Sequence, residues 1–503
     1  MRIGGKPRSL ARPSRVARPS RVAGPGRVAR LAAGLLPVLA LLVAAPAAAE
    51  SPLPTGVPLP TGVPFPTPPE TGRILRVPSQ APTLEAAIED AEPGDVILLA
   101  PGTYEGGIEV PEDRPGITIR GEDRNAVVFD GGTVRENAIE VHADGVTLEN
   151  MSAHDFAGNG FYWERVEGYA GRYLTVWNVG LYGIYAIESR GGIFEESFVS
   201  GAADAAFYIG ECSPCDSTVR RVTATLSAVG YSGTNAGGNL VVEDSRFLNN
   251  FVGILPNSFE VGLEPPPQRD AVFRRNEVVG TGTVVTPRTT PLGGYHGIGI
   301  AIAGGLRDVV QDNVVRDSTR YGIAIFAAVD REKTWVPSNN NVTGNIVADS
   351  SLADIALADG DGGDTCFEDN EAATWLPFDL DGTCTNLGDG DVGVGAELVQ
   401  SPFVLDDGLP DPPDYSEMAV PPAQPTMPVV VPGETAGPGP SGTSPAASAT
   451  PTGASGSDDP GASPDPVAVD GETMLLAASV IVVALFAVVI VVVAFRSRGN
   501  PAA

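Results

Sequence analysis

Histidine is almost missing from this chain. Three occur in 503 residues, His142, His154 and His296, and the five methionines are scattered. A soft-metal centre draws on more nitrogen and sulfur donors than that. Basic residues are scarce too, once the start is passed. Nine lie before residue 31, where no acid occurs; without them 23 basic residues face 62 acidic ones, a charge of −39 against −30 for the whole chain. Such a surface repels nucleic acid and anionic lipid, so neither is an expected partner. A simple grip on polyanionic polysaccharide is disfavoured on the same ground, while the acidity keeps a secreted protein soluble.

What is present is a recurring unit. Leu148-Glu-Asn-Met, Phe194-Glu-Glu-Ser, Val242-Glu-Asp-Ser, Phe273-Arg-Arg-Asn, Val310-Gln-Asp-Asn, Val342-Thr-Gly-Asn and Phe367-Glu-Asp-Asn share one pattern, with Tyr173 and Val219 in looser register. The steps between these nine anchors are 25, 21, 25, 23, 31, 37, 32 and 25 residues. A second mark sits midway, glycine followed by alternating apolar residues, as at Gly160, Gly183, Gly253, Gly297 and Gly322. Such a period means stacked repeats sharing one core. Apolar alternation with period 2 excludes a helical repeat. A leucine-rich repeat requires a leucine consensus that the chain lacks. The expected fold is all-β, a solenoid of parallel coils.

Only four cysteines occur: Cys212, Cys215, Cys366 and Cys384. Coils advance by about 4.8 Å each, so Cys215 and Cys366, five coils apart, are separated by about 24 Å. A bridge tolerates about 7 Å between Cα atoms. The pairs are therefore expected to be Cys212–Cys215 and Cys366–Cys384, and a four-cysteine zinc site fails on the same distance.

Residues 1–49 read as a signal peptide with a long basic lead, ending in Ala47-Ala48-Ala49. Residues 50–72 form a Pro-rich arm. A short helix with Thr83 as N-cap, buried through Leu84, Ala87, Ile88 and Ala91 and stopped by Gly94, is expected to cap the first coil. The solenoid is assigned to 73–405. Residues 406–472 read as a Pro/Ser/Gly-rich disordered stalk. Residues 473–495 follow as a transmembrane helix, whose uncharged core Met474–Phe495 spans about 33 Å. Arg496 and Arg498 place the 496–503 tail in the cytoplasm. The expected location is the cell membrane, single-pass, with the β-helix extracellular.

The run "PTLEAAIEDAEPGDVILLAPGTY", followed by "ITIRGEDRNAVVFDGG", resembles the entry to right-handed parallel β-helix proteins of the pectate-lyase-like superfamily, and most of all its NosD-like, carbohydrate-associated branch. The resemblance implies the fold over about residues 73–405. For function it implies several classes, since this superfold carries lyases, hydrolases, epimerases and binders.

No complete catalytic constellation matches. Gly293-Gly294-Tyr295-His296-Gly297 echoes a polygalacturonase signature, without the paired aspartates. His154-Asp155 retains half of the motif of mannuronan-epimerase-like enzymes. His154, Asp155 and His296 are thus the catalytic candidates. Asp359, Asp361 and Asp364 are oxygen donors that suit calcium, the one cofactor the sequence accommodates. Loops Asn257–Arg269 and Ala328–Asn340 are expected on one side, where Glu260, Glu264, Arg269, Arg331, Lys333 and Trp335 would bind substrate. Tyr162, Trp163, Tyr182, Tyr185, Tyr208, Tyr231, Tyr295 and Tyr321 gather near the second strand of successive coils, some inward and some lining a groove for sugar rings. The favoured reading is a surface protein that binds polysaccharide or serves as an envelope scaffold. The alternatives are a polysaccharide lyase, epimerase or glycoside hydrolase, and a NosD-like metal-accessory protein. The topology predicts that protease added to intact cells releases the whole β-helix; complete protection in a protease-permeable envelope reverses the orientation.

Overall fold

The structure is a computed structural model that describes residues 72–290, 292–330, 333–358, 364–377, 380–385 and 408–427. The signal peptide, nearly all of the arm, residues 386–407, the stalk beyond 427 and the expected span at 473–495 lie outside the described residues. Among those described, no helix is long and apolar enough to cross a membrane.

Three sheets wind around one core. Sheet A has thirteen strands and sheets B and C eleven each, among the described residues. Each strand pairs with its equivalent one coil away, as in Ile74↔Val96 and Val96↔Thr118 in sheet A. Pairing is parallel until the last strand of sheet A, where Cys366↔Cys384 are antiparallel partners. The core contains residues such as Phe129, Phe161, Phe207, Phe247 and Phe273, all fully buried. At the N-terminal end lies helix α1 (Leu84–Asp90), with Thr83 Oγ1 accepting the Ala86 N–H at 3.2 Å and Leu84, Ala87 and Ile88 buried. It ends at Asp90, with Ala91 already extended. Gly94 therefore serves the following turn and does not stop the helix. Both expected disulfides form, Cys212–Cys215 with Cα atoms 4.9 Å apart and Cys366–Cys384 with 4.0 Å.

The recurring unit has a physical meaning at each place. Its first residue points into the core: Leu148, Phe194, Val219, Val242, Phe273, Val310, Val342 and Phe367 are all fully buried. Tyr173 is not in this column. Gly171 pairs with both Leu148 and Phe194, which makes both steps 23 residues. A Cβ on Gly171 would lie 3.2 Å from the ring tip of buried Trp163 and 3.1 Å from Phe194, so tryptophan bulk from sheet C occupies the place of an anchor side chain. The second glycine mark is also steric. A Cβ on Gly253 would sit 2.2 Å from the Gly299 carbonyl oxygen. Gly299, not Gly297, is the aligned glycine, since Ile254 pairs with Ile300.

The second residue of the unit faces out and builds a charge ladder. Arg120, Glu149, Arg172, Glu195, Arg220, Glu243 and Arg274 are successive partners along sheet A. Arg120 lies 2.5 Å from Glu149, Arg172 and Arg220 lie 3.0 and 2.8 Å from Glu195, and Arg274 lies 2.7 Å from Glu243. The third residue turns the chain in the left-handed region, with φ of 51° at Glu196, 50° at Asp244, 52° at Arg275 and 54° at Asp312. The fourth is an amide wherever the ladder runs deepest. The backbone N–H groups of Asn276, Asn313 and Asn345 each donate to the next asparagine's Oδ1 at 3.0 Å, ending at Asn370. Each Nδ2 donates back to a core carbonyl, as Asn313 does to Phe273 at 2.9 Å. These buried amides are satisfied only by one another and by adjacent coils.

Residues 408–427 fall in the stretch assigned to the stalk, yet they form a strap against the solenoid. The Arg288 guanidinium donates to the Pro410 carbonyl, Asn178 Nδ2 to Ser416 and Met418 carbonyls, and Arg124 to Pro425 O at 3.1 Å. Asn150, fully buried, accepts the Thr426 hydroxyl at 2.9 Å and the Met427 N–H at 2.8 Å. The strap therefore runs back from the level of Phe251 to the fourth coil. The strap offers the Pro410, Ser416, Met418 and Pro425 carbonyls to arginine and asparagine donors, and donates from Thr426 and Met427 to Asn150.

Two stability predictions follow from these contacts. Asn313→Ala strands the Asn276 amide groups in the core and should cost about 2–4 kcal/mol in denaturant titration. A chain ended before residue 408 should melt several degrees below one ended after 428, because Arg124 and Asn150 lose buried partners.

Candidate functional site on sheet C

The two halves of the outer face of sheet C differ. In the C-terminal half, Leu292 and Tyr295, from the long loop over 281–296, pack with Leu255, Ala301, Ala324 and Ala356 in a second hydrophobic cluster. That loop covers the sheet there. The N-terminal half carries polar and aromatic residues in register.

Strand alternation creates the open half. Ile139 and Val141 point inward, so Glu140 and His142 point out. One coil on, Phe161 and Trp163 are buried, which turns Tyr162 and Glu164 out. Glu140 pairs with Glu109 on one side and Tyr162 on the other, and Tyr162 pairs with Tyr185, which pairs with Tyr208. His142 Nε2 lies 3.2 Å from Glu140 Oε1, and its Nδ1 is 3.9 Å from Glu164 Oε2. Arg165 closes on Glu164 and Glu188. The donor atoms of Glu140, His142 and Glu164 lie within 4.8 Å of one another, close enough to share a cation.

The tyrosines stack along the solenoid axis. Tyr185 is sandwiched between Tyr162 at 4.7 Å and Tyr182 at 4.4 Å, the latter only 7° from parallel. Tyr208 sits 5.0 Å from both Tyr182 and Tyr185 and is nearly buried. Ring faces are spent on each other, and the hydroxyls of Tyr162, Tyr182 and Tyr208 bond Glu164, Asp204 and Thr234, so the open face shows the edges of Tyr162 and Tyr185. Burial first, and then the Glu164 charge with its hydrogen bond, pushes the Tyr162 phenol well up; burial does the same for Tyr182 and Tyr185. All three therefore remain neutral donors at physiological pH. Asp204, beside Tyr182 and Thr290, is pushed up to about 6 by burial, partly offset by hydrogen bonds from those two.

Of the eight aromatics singled out in the sequence, Trp163 and Tyr231 fill the core, and Tyr295 and Tyr321 are buried in the second cluster. Tyr208 is buried and Tyr182 packs against that cluster, which leaves Tyr162 and Tyr185 half-exposed on the outer face. Glu140, His142 and Glu164 were missed, although alternation in Asn137–Val141 and alignment of Ile139 with Phe161 would have found them.

The other candidates lie elsewhere. His154 and Asp155 do pair, Nδ1 to Oδ2 at 2.8 Å, and Asp130 is 4.0 Å from the same nitrogen. This group is on the outside of sheet B, with His154 stacked on Trp177 at 4.5 Å. His296 packs against Phe251 at 4.5 Å and lies five coils further along, so it shares no site with His154. Of the calcium candidates, Asp359 and Asp361 lie outside the described residues; Asp364 is a left-handed turn residue, φ 59°.

The two expected binding loops do meet. Lys333 pairs with Glu260, and the Glu260 N–H donates to Asp330 at 3.1 Å. Arg269 pairs with Glu264 at 2.5 Å. The charged groups expected to meet a ligand are thus paired with each other, and Trp335 packs against the second cluster. Arg331 lies outside the described residues.

Residues 159–328 match the family model described as a right handed beta helix region. The chain carries a right-handed parallel β-helix. Similar solved structures include the Azotobacter vinelandii mannuronan C-5 epimerase AlgE6 A-module, at 14% identity over 55% of this chain and 85% of that one, TM-score 0.38. An alginate lyase from Paenibacillus sp. str. FPU-7 is 16% identical over 60% and 97% of the two chains, TM-score 0.36. A rhamnogalacturonan lyase is 11% identical over 58% and 84%, TM-score 0.43. No curated protein sequence matches the chain.

Proposed function

We propose that the β-helix binds polysaccharide along the open half of sheet C, as the outer domain of a cell-envelope protein. One observation carries this reading: on the part of sheet C that the 281–296 loop leaves open, the half-exposed phenols Tyr162 and Tyr185 continue the column of carboxylates Glu109 and Glu140, one residue per coil. Sugar hydroxyls need both donors and acceptors, and phenols beside carboxylates provide the two together. A polymer lying along the axis meets similar groups at each coil. Glu109, Glu140 and Glu164 make the face acidic, which favours a neutral or cationic glycan unless calcium intervenes. Anchorage, with the β-helix outside, rests on the sequence of the two chain ends.

A second reading follows from the Glu140–His142–Glu164 group. A histidine between two carboxylates is equipped for proton transfer to a bound sugar. Tyr162 stays protonated, so base work there would fall to His142 or a carboxylate.

The test is a glycan array with residues 50–428, read with and without calcium, followed by product analysis on each hit. Retention that drops about tenfold in Tyr185→Ala and survives Trp335→Ala supports binding on sheet C. The reverse pattern moves the site to the two loops. Shortened, unsaturated or epimerised products, abolished in His142→Ala, establish the enzymatic reading. No retention on any glycan removes both.

A further inference from the structure

The root of loop Asn257–Arg269 is enclosed. Ser258, Gln268 and Asp308 are fully buried. The Ser258 hydroxyl donates to Gly304 O and accepts the Gln268 N–H, both at 2.9 Å. Gln268 Nε2 donates to Asp308 Oδ1 at 2.9 Å, and that oxygen also accepts the Ala271 N–H at 2.9 Å. Two atoms are left with no partner: Gln268 Oε1 and Asp308 Oδ2. A Cβ on Gly305 would sit 2.5 Å from the first and 2.1 Å from the second, so the two oxygens are at most 4.6 Å apart. Rotating the Gln268 amide exchanges one oxygen–oxygen contact for another. A single proton between them resolves both vacancies.

We infer that Asp308 is a carboxylic acid in the folded protein, donating Oδ2–H to Gln268 Oε1, and that this acid–amide pair latches loop Asn257–Arg269 until Asp308 ionises. The latch does not depend on glycan binding. Burial is the largest influence on Asp308 and pushes it up to about 7; hydrogen bonds from Ala271 and Gln268 oppose this. Of its charged neighbours Asp270 raises it and Arg307 lowers it, and those two form a surface ion pair at 2.6 Å. The Tyr231 hydroxyl, buried and also unpartnered, faces Asp308 from the core.

The middle of the same loop is held by a second such group. Glu211 is nearly buried and accepts the Glu264 N–H at 3.1 Å and Asn235 Nδ2 at 3.1 Å. Burial, with the Glu188 and Glu264 charges, pushes it up to about 7 against those hydrogen bonds. Tyr208 is its remaining titratable neighbour. Both carboxyls bind a proton more tightly with the loop closed. Between the ordinary carboxylate range and about 7 the closed form therefore holds protons that the open form has lost, and closure weakens as pH rises.

Hydrogen exchange of residues 258–268 in the full-length protein, corrected for intrinsic rates, tests this. From about pH 5.5 to 8.5 loop opening should rise about tenfold or more. Asp308→Asn should abolish the Asp308 part of that rise, because an amide supplies a permanent donor to Gln268 Oε1 while its oxygen still accepts from Gln268 and Ala271. Flat wild-type protection, or protection lost at pH 5.5 in Asp308→Asn, overturns the latch. Infrared spectroscopy is independent of the folding of that variant. A protonated-carboxyl band near pH 6 that is retained when Glu211→Gln and Asp204→Asn are combined, and lost at pH 8.5, is expected; its absence from that double variant also overturns the inference.

Discussion

Parallel stacking at one fixed spacing governs this molecule. Each residue has as its nearest non-sequential neighbour its own equivalent one coil away. Like charges in one column would repel at close range, whereas amides in one column hydrogen-bond without limit. The charge ladder from Arg120 to Arg274 and the amide ladder from Asn276 to Asn370 are the two solutions to that constraint. The first sets which coil lies beside which on the outer face of sheet A, where Glu149 and Arg274 are themselves buried and a mismatched register would leave them unpaired. The second does so inside, where an unpaired amide is costly.

The same constraint builds the candidate site. The outward column Glu109, Glu140, Tyr162, Tyr185, Tyr208 exists because inward neighbours must be apolar and backbone pleating alternates. Once the tyrosines stack, their hydroxyls are held neutral and repeated. Beyond them the 281–296 loop buries the sheet, so the usable face is bounded by chain packing at one end and by the acidic group at the other. The right-handed β-helix is thus both scaffold and ruler for whatever lies on it.

Much of the fold was legible in the sequence, because a repeat writes its coil length into the chain. The anchors, the capping residue Thr83 and the cysteine pairing could be read from spacing. Tyr173 was misplaced because its coil lacks an anchor side chain: Gly171 yields the space to Trp163, a tertiary exchange with no local signature. The site was less legible. Loops Asn257–Arg269 and Ala328–Asn340 showed their length and charge in the sequence, but not that Lys333 pairs with Glu260 and Arg269 with Glu264. His142 was noticed only as one of three histidines, since its partner Glu164 is adjacent only after coil alignment. The strap resembled low-complexity tether, and its proline-rich composition hid the carbonyl acceptors that Arg124, Asn178 and Arg288 use.

The strap changes how the molecule would bear load. Because residues 424–427 end at Arg124 and Asn150 in the third and fourth coils, tension on the chain beyond residue 427 enters near the N-terminal cap. The last coil, closed by Cys366–Cys384, is shielded until the strap has been peeled from Asn150 back toward Arg288. Under such a load the strap would act as a mechanical fuse: a short series of hydrogen bonds that opens stepwise and frees chain length before any coil is unwound.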